Sequence, residues 1–351
     1  MHVAICLFYN SPMGGLHLNV LDSCTQLRAA GHRVTVFCPG GPLGVLLQDL
    51  GCTVLPLGAV PPDADRFDLV HAHPGAIKPA ARLAHDRDLP LFVTYHGRWL
   101  QMIQTITPEC AHVFGVSDAI CDALRAAVPA ARKRISLMPN GISPLPAPDS
   151  PPPPADAPLG ILVASRFASD KQAVTEMLLD LWYLQDRRGI TGLHWHIAGD
   201  GEGIDRLQAF CAAFPGIAPG VTFHGWLDST ATQNLIRSCD VSLGPGRSAL
   251  EAMNLARPVI PLGSGGCQGL VTADRFGDCA HSNFGGAFSD QHRDAASVLD
   301  ALTGLRDGDR GRALGLQLQS LVRQNFDLAS HHARLMKFYV KAVRDRRAQL
   351  G

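Results

Sequence analysis

The chain has 351 residues, 46% hydrophobic and 18% charged, enough to build two cored domains. It contains no run of about 20 apolar residues of the kind that crosses a bilayer. Its formal net charge is zero, with neither half lopsided, which argues against wholesale binding of a nucleic-acid backbone.

Met1 leads straight into an apolar strand pattern at 3–9, without the basic region and cleavage site of a signal peptide, so a cytoplasmic location is expected. Further strands are predicted at 33–38, 53–57, 68–73, 91–96, 112–116 and 135–138, with helices between them. The helix at 16–30 places Leu16, Val20, Cys24 and Leu27 on one face, and Gly31 supplies its left-handed stop. Gly14-Gly15, between the first strand and this helix, would let backbone amides approach an anion, although a tight connection alone would also use them. His71 and His73 share a strand face, but the third ligand that zinc needs is not visible nearby. His96 ends the strand at 91–96, and Gly97 leaves room beside it. A hydrogen bond to a neighbouring loop is the plainer account of that histidine.

Residues 144–158 are so rich in proline that neither helix nor ladder can form, and a semi-rigid extended linker is expected. The alternation then restarts, with strands predicted at 160–165, 194–198, 221–224, 240–243 and 259–262. Strand and helix in alternation predict α/β architecture, here two Rossmann-like doubly wound domains facing a cleft. The boundaries fall at 1–143, 159–326 and a closing helical segment, 327–351. The ten cysteines lie in apolar runs without Cys-x-x-Cys spacing and read as reduced core residues.

Ligands of such sheets bind beyond the carboxyl ends of the strands. Arg166 and Lys171 follow the strand at 160–165, and a basic pair suits a diphosphate. Gly199-Asp200-Gly201-Glu202 forms a turn where a nucleotide could lie close to the backbone, and Phe223-His224-Gly225-Trp226 offers backbone to a base. Gly244-Pro245-Gly246 opens a helix carrying Arg247 and Glu251; its amides suit phosphate, and the Glu251 carboxylate suits a ribose diol. Near the end, Arg334, Lys337, Lys341, Arg344, Arg346 and Arg347 could favour weak peripheral contact with an anionic membrane, against the plainer reading of a solvated helix face.

In order and spacing, Gly14-Gly15, Gly31-His32-Arg33-Val34, Tyr95-His96-Gly97, Val116-Ser117, Pro139-Asn140-Gly141, Arg166 with Lys171, Gly199-Asp200-Gly201, Phe223-His224-Gly225 and Leu250-Glu251-Ala252-Met253 resemble the retaining GT-B glycosyltransferases of the bacterial group 1, or family four-like, set. The resemblance covers nearly the whole chain. It implies transfer of a hexosyl group from a nucleoside diphosphate sugar to a hydroxyl of a glycan, lipid-linked or small-molecule acceptor, with retention, and with neither metal nor other cofactor. It assigns acceptor binding to the first domain, nucleotide-sugar binding to the second, and a bracing role on the first domain to the last helix.

By the same resemblance Arg166 and Lys171 grip the donor diphosphate and stabilise the leaving charge, His96 lies near the transferred sugar, and Glu251 binds the ribose. Gly14, Gly15, Gly199, Gly201, Glu202, His224, Gly246 and Arg247 complete the implied donor site. The chain departs from the pattern at Leu243, where many relatives carry a sugar-side glutamate. Two other readings remain open: a catalytically silent nucleotide-binding or scaffold protein, which that departure favours, and a sugar-nucleotide epimerase, which would share the sheets and the diphosphate grip but for which no clear carboxylate pair is visible.

Overall fold

The computed structural model describes residues 1–9, 13–59, 66–97, 99–146, 157–286 and 294–350. Most of the proline-rich linker, 147–156, lies outside the described residues. Two compact units emerge, one made of Met1–Gly141 together with the stretch from Phe326 onward, the other of Ile142–Asn325.

The first unit carries β1 (His2–Cys6), α1 (Gly15–Ala29), β2 (Arg33–Phe37), α2 (Gly41–Asp49), β3 (Thr53–Leu55), β4 (Leu69–Ala72), α3 (Ile77–Asp86), β5 (Leu91–Tyr95), α4 (Ile103–Ile106), β6 (Cys110–Gly115), α5 (Asp118–Ala127) and β7 (Ile135–Leu137). Its seven strands form one parallel sheet in the order β3-β2-β1-β4-β5-β6-β7. Strands β1, β4 and β5 are buried along their whole length, as expected of a sheet covered on both faces.

The second unit carries β8 (Leu159–Ala164), α6 (Gln172–Arg187), β9 (Leu193–Ala198), α7 (Gly203–Ala213), β10 (Val221–Gly225), α8 (Ser229–Ser238), β11 (Val241–Leu243), α9 (Gly246–Asn254) and β12 (Val259–Ile260). These five strands are parallel, in the order β10-β9-β8-β11-β12. A hairpin of β13 (Leu262–Gly263) and β14 (Gly266–Cys267) follows, then α10 (Phe276–His281), α11 (Ala295–Gly304) and α12 (Gly308–Asn325). The strand expected over 259–262 is therefore split. Pro261 has no N–H to give a ladder, and its carbonyl instead accepts from the Gln268 backbone at 3.0 Å, turning the chain into the hairpin.

The last helix, α13 (Leu328–Leu350), belongs to the first unit. Leu335, Tyr339 and Val343 enter the same core as Val3, Phe92 and Phe114. Gly141 admits the helix start, since a Cβ there would lie 2.6 Å from the Leu328 Cα. All ten cysteines are buried and unbridged. Among the described residues no helix is long and apolar enough to cross a membrane.

Candidate functional site

In the second sheet β8 and β11 are neighbours, yet β8 leads outward to β9 and β11 outward to β12. Such a reversal opens a crevice at the carboxyl ends of the two strands. The loop after β8 carries Arg166 and Lys171, and the loop after β11 runs into α9. These loops touch: a Cβ on Gly244 would meet the Ala164 carbonyl at 2.8 Å.

Arg166 pairs with Asp170 at 3.0 Å, both about half exposed. Lys171 lies 3.8 Å from the same carboxylate and donates to Ser264 Oγ at 2.6 Å. Burial lowers the Lys171 pKa, and the Asp170 carboxylate opposes that shift. An exposed pair such as Arg166–Asp170 is worth about 0–1 kcal/mol, so Asp170 holds that guanidinium only weakly.

Gly199 and Gly201 both adopt φ of +137°. Their want of side chains has a packing cause, because a Cβ on Gly199 would lie 1.8 Å from the Ser165 carbonyl and one on Gly201 2.6 Å from Phe167. The Phe167 N–H donates to the Asp200 carbonyl at 3.0 Å, and the Gly203 N–H to the Phe167 carbonyl at 2.8 Å. This turn therefore buttresses the loop that holds Arg166, and Glu202 beside it is exposed.

Glu251 is buried on α9, and Arg247, one turn earlier, donates Nε–H to its Oε1 at 2.8 Å. The arginine thus orients the carboxylate. Gly246, at φ +53°, starts the helix beside Asn283. Leu243 ends β11 wholly buried in the core, so that position offers nothing to a ligand. His224, on β10, shares a hydrogen bond of 3.0 Å with His196.

The first unit carries Gly14, Gly15 and His96. Gly14 has φ of −145°, a backbone value that any residue adopts. Its N–H donates to His17 Nδ1 at 2.8 Å, and among the described residues that ring atom lies 4.0 Å from where a Cβ would stand. Among the described residues, neither conformation nor packing demands glycine at that site. Gly15 opens α1.

His96 is half-buried, with open space at Gly97. Its Nε2 lies 2.8 Å from Nδ1 of the buried His73, whose ring stacks on His71 at 5.0 Å. Burial pushes the pKa of His96 and of His71 down to about 3 and that of His73 well below the usual histidine value. All three are neutral at pH 7. Among the described residues no cluster of three or more His, Cys, Asp or Glu is placed to hold a metal ion.

On α13, Lys341 and Arg344 both pair with Asp345, Arg346 pairs with Asp88 and Arg347 with Asp68. Three carboxylates thus offset part of the positive charge of this stretch. Two members of these constellations escape a sequence-only reading. Ser264 reaches Lys171 through a hairpin with no strand-like period, its one signal being the glycines of Gly263-Ser264-Gly265-Gly266. The bond between His73 and His96 needs the sheet order, which puts β4 beside β5.

Fold and site together define a two-unit, Rossmann-like α/β protein with a basic pair and a carboxylate at one switch point. Residues 13–144 match the profile of Glycosyltransferase Family 4, and residues 158–294 match that of Glycosyl transferases group 1. The chain belongs to these glycosyltransferases and has their GT-B fold.

Among solved structures it is similar to a glycosyltransferase from Rickettsia africae, with 15% identity, a TM-score of 0.71, and coverage of 97% of this chain and 98% of the other. Sucrose-phosphate synthase from Thermosynechococcus elongatus matches at 16% identity and TM-score 0.66, again over 97% and 98%. The pneumococcal O-GlcNAc transferase GtfA, in complex with UDP and GlcNAc, matches at 15% and 0.57, over 78% of this chain and 57% of that one. Likenesses at such identity show the fold. The comparison with curated proteins returns no match.

Proposed function

We propose that the protein moves a hexosyl group from a nucleoside diphosphate sugar to a hydroxyl of a glycan, lipid-linked or small-molecule acceptor, with retention and without a metal. The observation that carries this reading is that β8 and β11 are neighbours at the switch point, Arg166 and Lys171 following β8 and the Arg247-paired Glu251 lying on the helix after β11. Two cations there neutralise the diphosphate as it leaves, the work a divalent ion does elsewhere. The buried Glu251 carboxylate accepts from the ribose hydroxyls, and the amides at the start of α9 face a phosphate. Gly199, Gly201 and Glu202 support this donor loop, while His224 and Gly246 line its approach.

The first unit takes the acceptor, and Gly14, Gly15 and His96 meet the reacting sugar. His96, neutral at pH 7, serves as a hydrogen-bonding group; the leaving phosphate accepts the proton of the acceptor hydroxyl. The likeness to a transferase solved with UDP supports a nucleotide of that type as donor.

The test is incubation with UDP-, GDP- and ADP-sugars while following nucleoside diphosphate release. Arg166→Ala and Lys171→Ala are each expected to slow release by about 1,000-fold with thermal unfolding unchanged. Full turnover by both variants would sink the assignment. Isomerised sugar nucleotide would mark an epimerase, and binding without chemistry a silent protein, the reading that the buried Leu243 favours.

A further inference from the structure

The first sheet also has a switch point, between β1 and β4. His73 is the first residue past β4, and its backbone N–H donates to the Cys6 carbonyl at the end of β1 at 2.9 Å. Its side chain, 4% exposed, reaches across to His96, the first residue past β5. The His73 ring is held from its other side as well. It stacks on His71, interplanar angle 14°, and His71 is fixed by Thr94 Oγ1 at 2.8 Å and by the Tyr339 hydroxyl from α13.

Nδ1 of His73 and Nε2 of His96, 2.8 Å apart, share one hydrogen bond and therefore one proton. If His73 carries it, Nε2 of His96 is the acceptor and neutral His96 keeps its own proton on Nδ1. If His96 carries it, His73 accepts, and its proton sits on Nε2. The two rings must then have the same tautomer, both Nδ1–H or both Nε2–H. Whether Nδ1 of His96 donates or accepts is thereby tied to the buried His73.

We propose that His73 is the positioning residue for His96, fixing both the ring and the tautomer that His96 presents to the sugar and acceptor hydroxyl. The inference rests on the reading of His96 given above. Burial supports it, since desolvation keeps both rings neutral and so forbids a state with a proton on every nitrogen.

Nitrogen-15 NMR of the imidazoles tests the coupling without any turnover. Matched tautomers for His73 and His96 are expected in the wild-type protein, and a mixed pair overturns the proposal. In His73→Phe the His96 nitrogens should shift toward the tautomer mixture of a free imidazole, and kcat should fall about tenfold with the KM for the nucleotide sugar within about twofold. His73→Asn keeps a hydrogen-bonding atom at the Nδ1 position and should restore most of kcat. Unchanged His96 nitrogens in His73→Phe, or equal losses in the Asn and Phe variants, overturn it. Should the Phe variant not fold, the wild-type spectrum and the Asn variant still decide. Matched tautomers in a protein that transfers no sugar would remove the functional reading and leave the coupling supported.

Discussion

On the proposed function Lys171 meets a phosphate, and a lysine with that task must be held in place without being neutralised, which its contact with Ser264 allows. The hydroxyl accepts one ammonium proton at 2.6 Å and brings no charge, whereas Asp170 stands off at 3.8 Å. The residue before Ser264 is tightly packed: a Cβ on Gly263 would fall 2.5 Å from the Gly285 carbonyl. A hydrogen bond to a charged group is worth about 1.5–3 kcal/mol when shielded and less at an exposed site such as this one. Ser264→Ala is therefore expected to lower kcat/KM for the donor by about three- to tenfold, with Ser264→Thr near wild type. Steady-state kinetics with varied donor checks it, and an alanine variant indistinguishable from wild type would remove Ser264 from the site.

At the scale of elements, the turn at 199–203 shows how glycine serves a charged loop from behind. Gly199 at φ +137° already lies where side chains strain the backbone, and its contact with Ser165 leaves no space for a methyl group. Gly199→Ala should cost about 3 kcal/mol in urea unfolding and displace the Arg166 loop, so nucleotide affinity should fall along with stability. A variant of native stability and affinity would contradict that account. The same turn shows what the sequence conveys. Strands such as 33–38 and 91–96 were legible from apolar runs between turn residues, and glycines after strand ends marked the site loops. What those glycines are packed against was not legible, because Ser165 and Phe167 come to them only through the pairing of β8 with β9. The split of 259–262 was signalled by Pro261, which the apolar run around it obscured. Arg247 and Glu251, one helical turn apart, could be paired from spacing alone, whereas the partner of His96 had to await the order of the sheet.

Over the whole chain, the two units differ in how they are assembled. The second is continuous, Ile142–Asn325, and closes its own core around Trp182, Trp195 and Val298. The first recruits α13 from the far end of the sequence, and the helix supplies Leu335, Tyr339 and Val343 to the core, the Tyr339 hydroxyl to His71, and Arg334 to the Leu137 carbonyl. Removing that helix strips a packed face from β1, β5 and β6 and opens His71, which bonds Tyr339 through Nδ1, to water. Each truncated large core side chain costs about 2–5 kcal/mol, and three such losses equal the whole stability of an ordinary domain. A chain ending at residue 325 should accordingly lose the unfolding transition of the first unit in calorimetry while keeping that of the second. The fragment 142–325 alone should melt cooperatively and bind the nucleoside diphosphate, because Arg166, Lys171, Ser264 and Glu251 all lie within it. If the shortened chain retained both transitions, α13 would be an accessory to a first unit able to fold without it, and the coupling of His71 to Tyr339 would carry no stability.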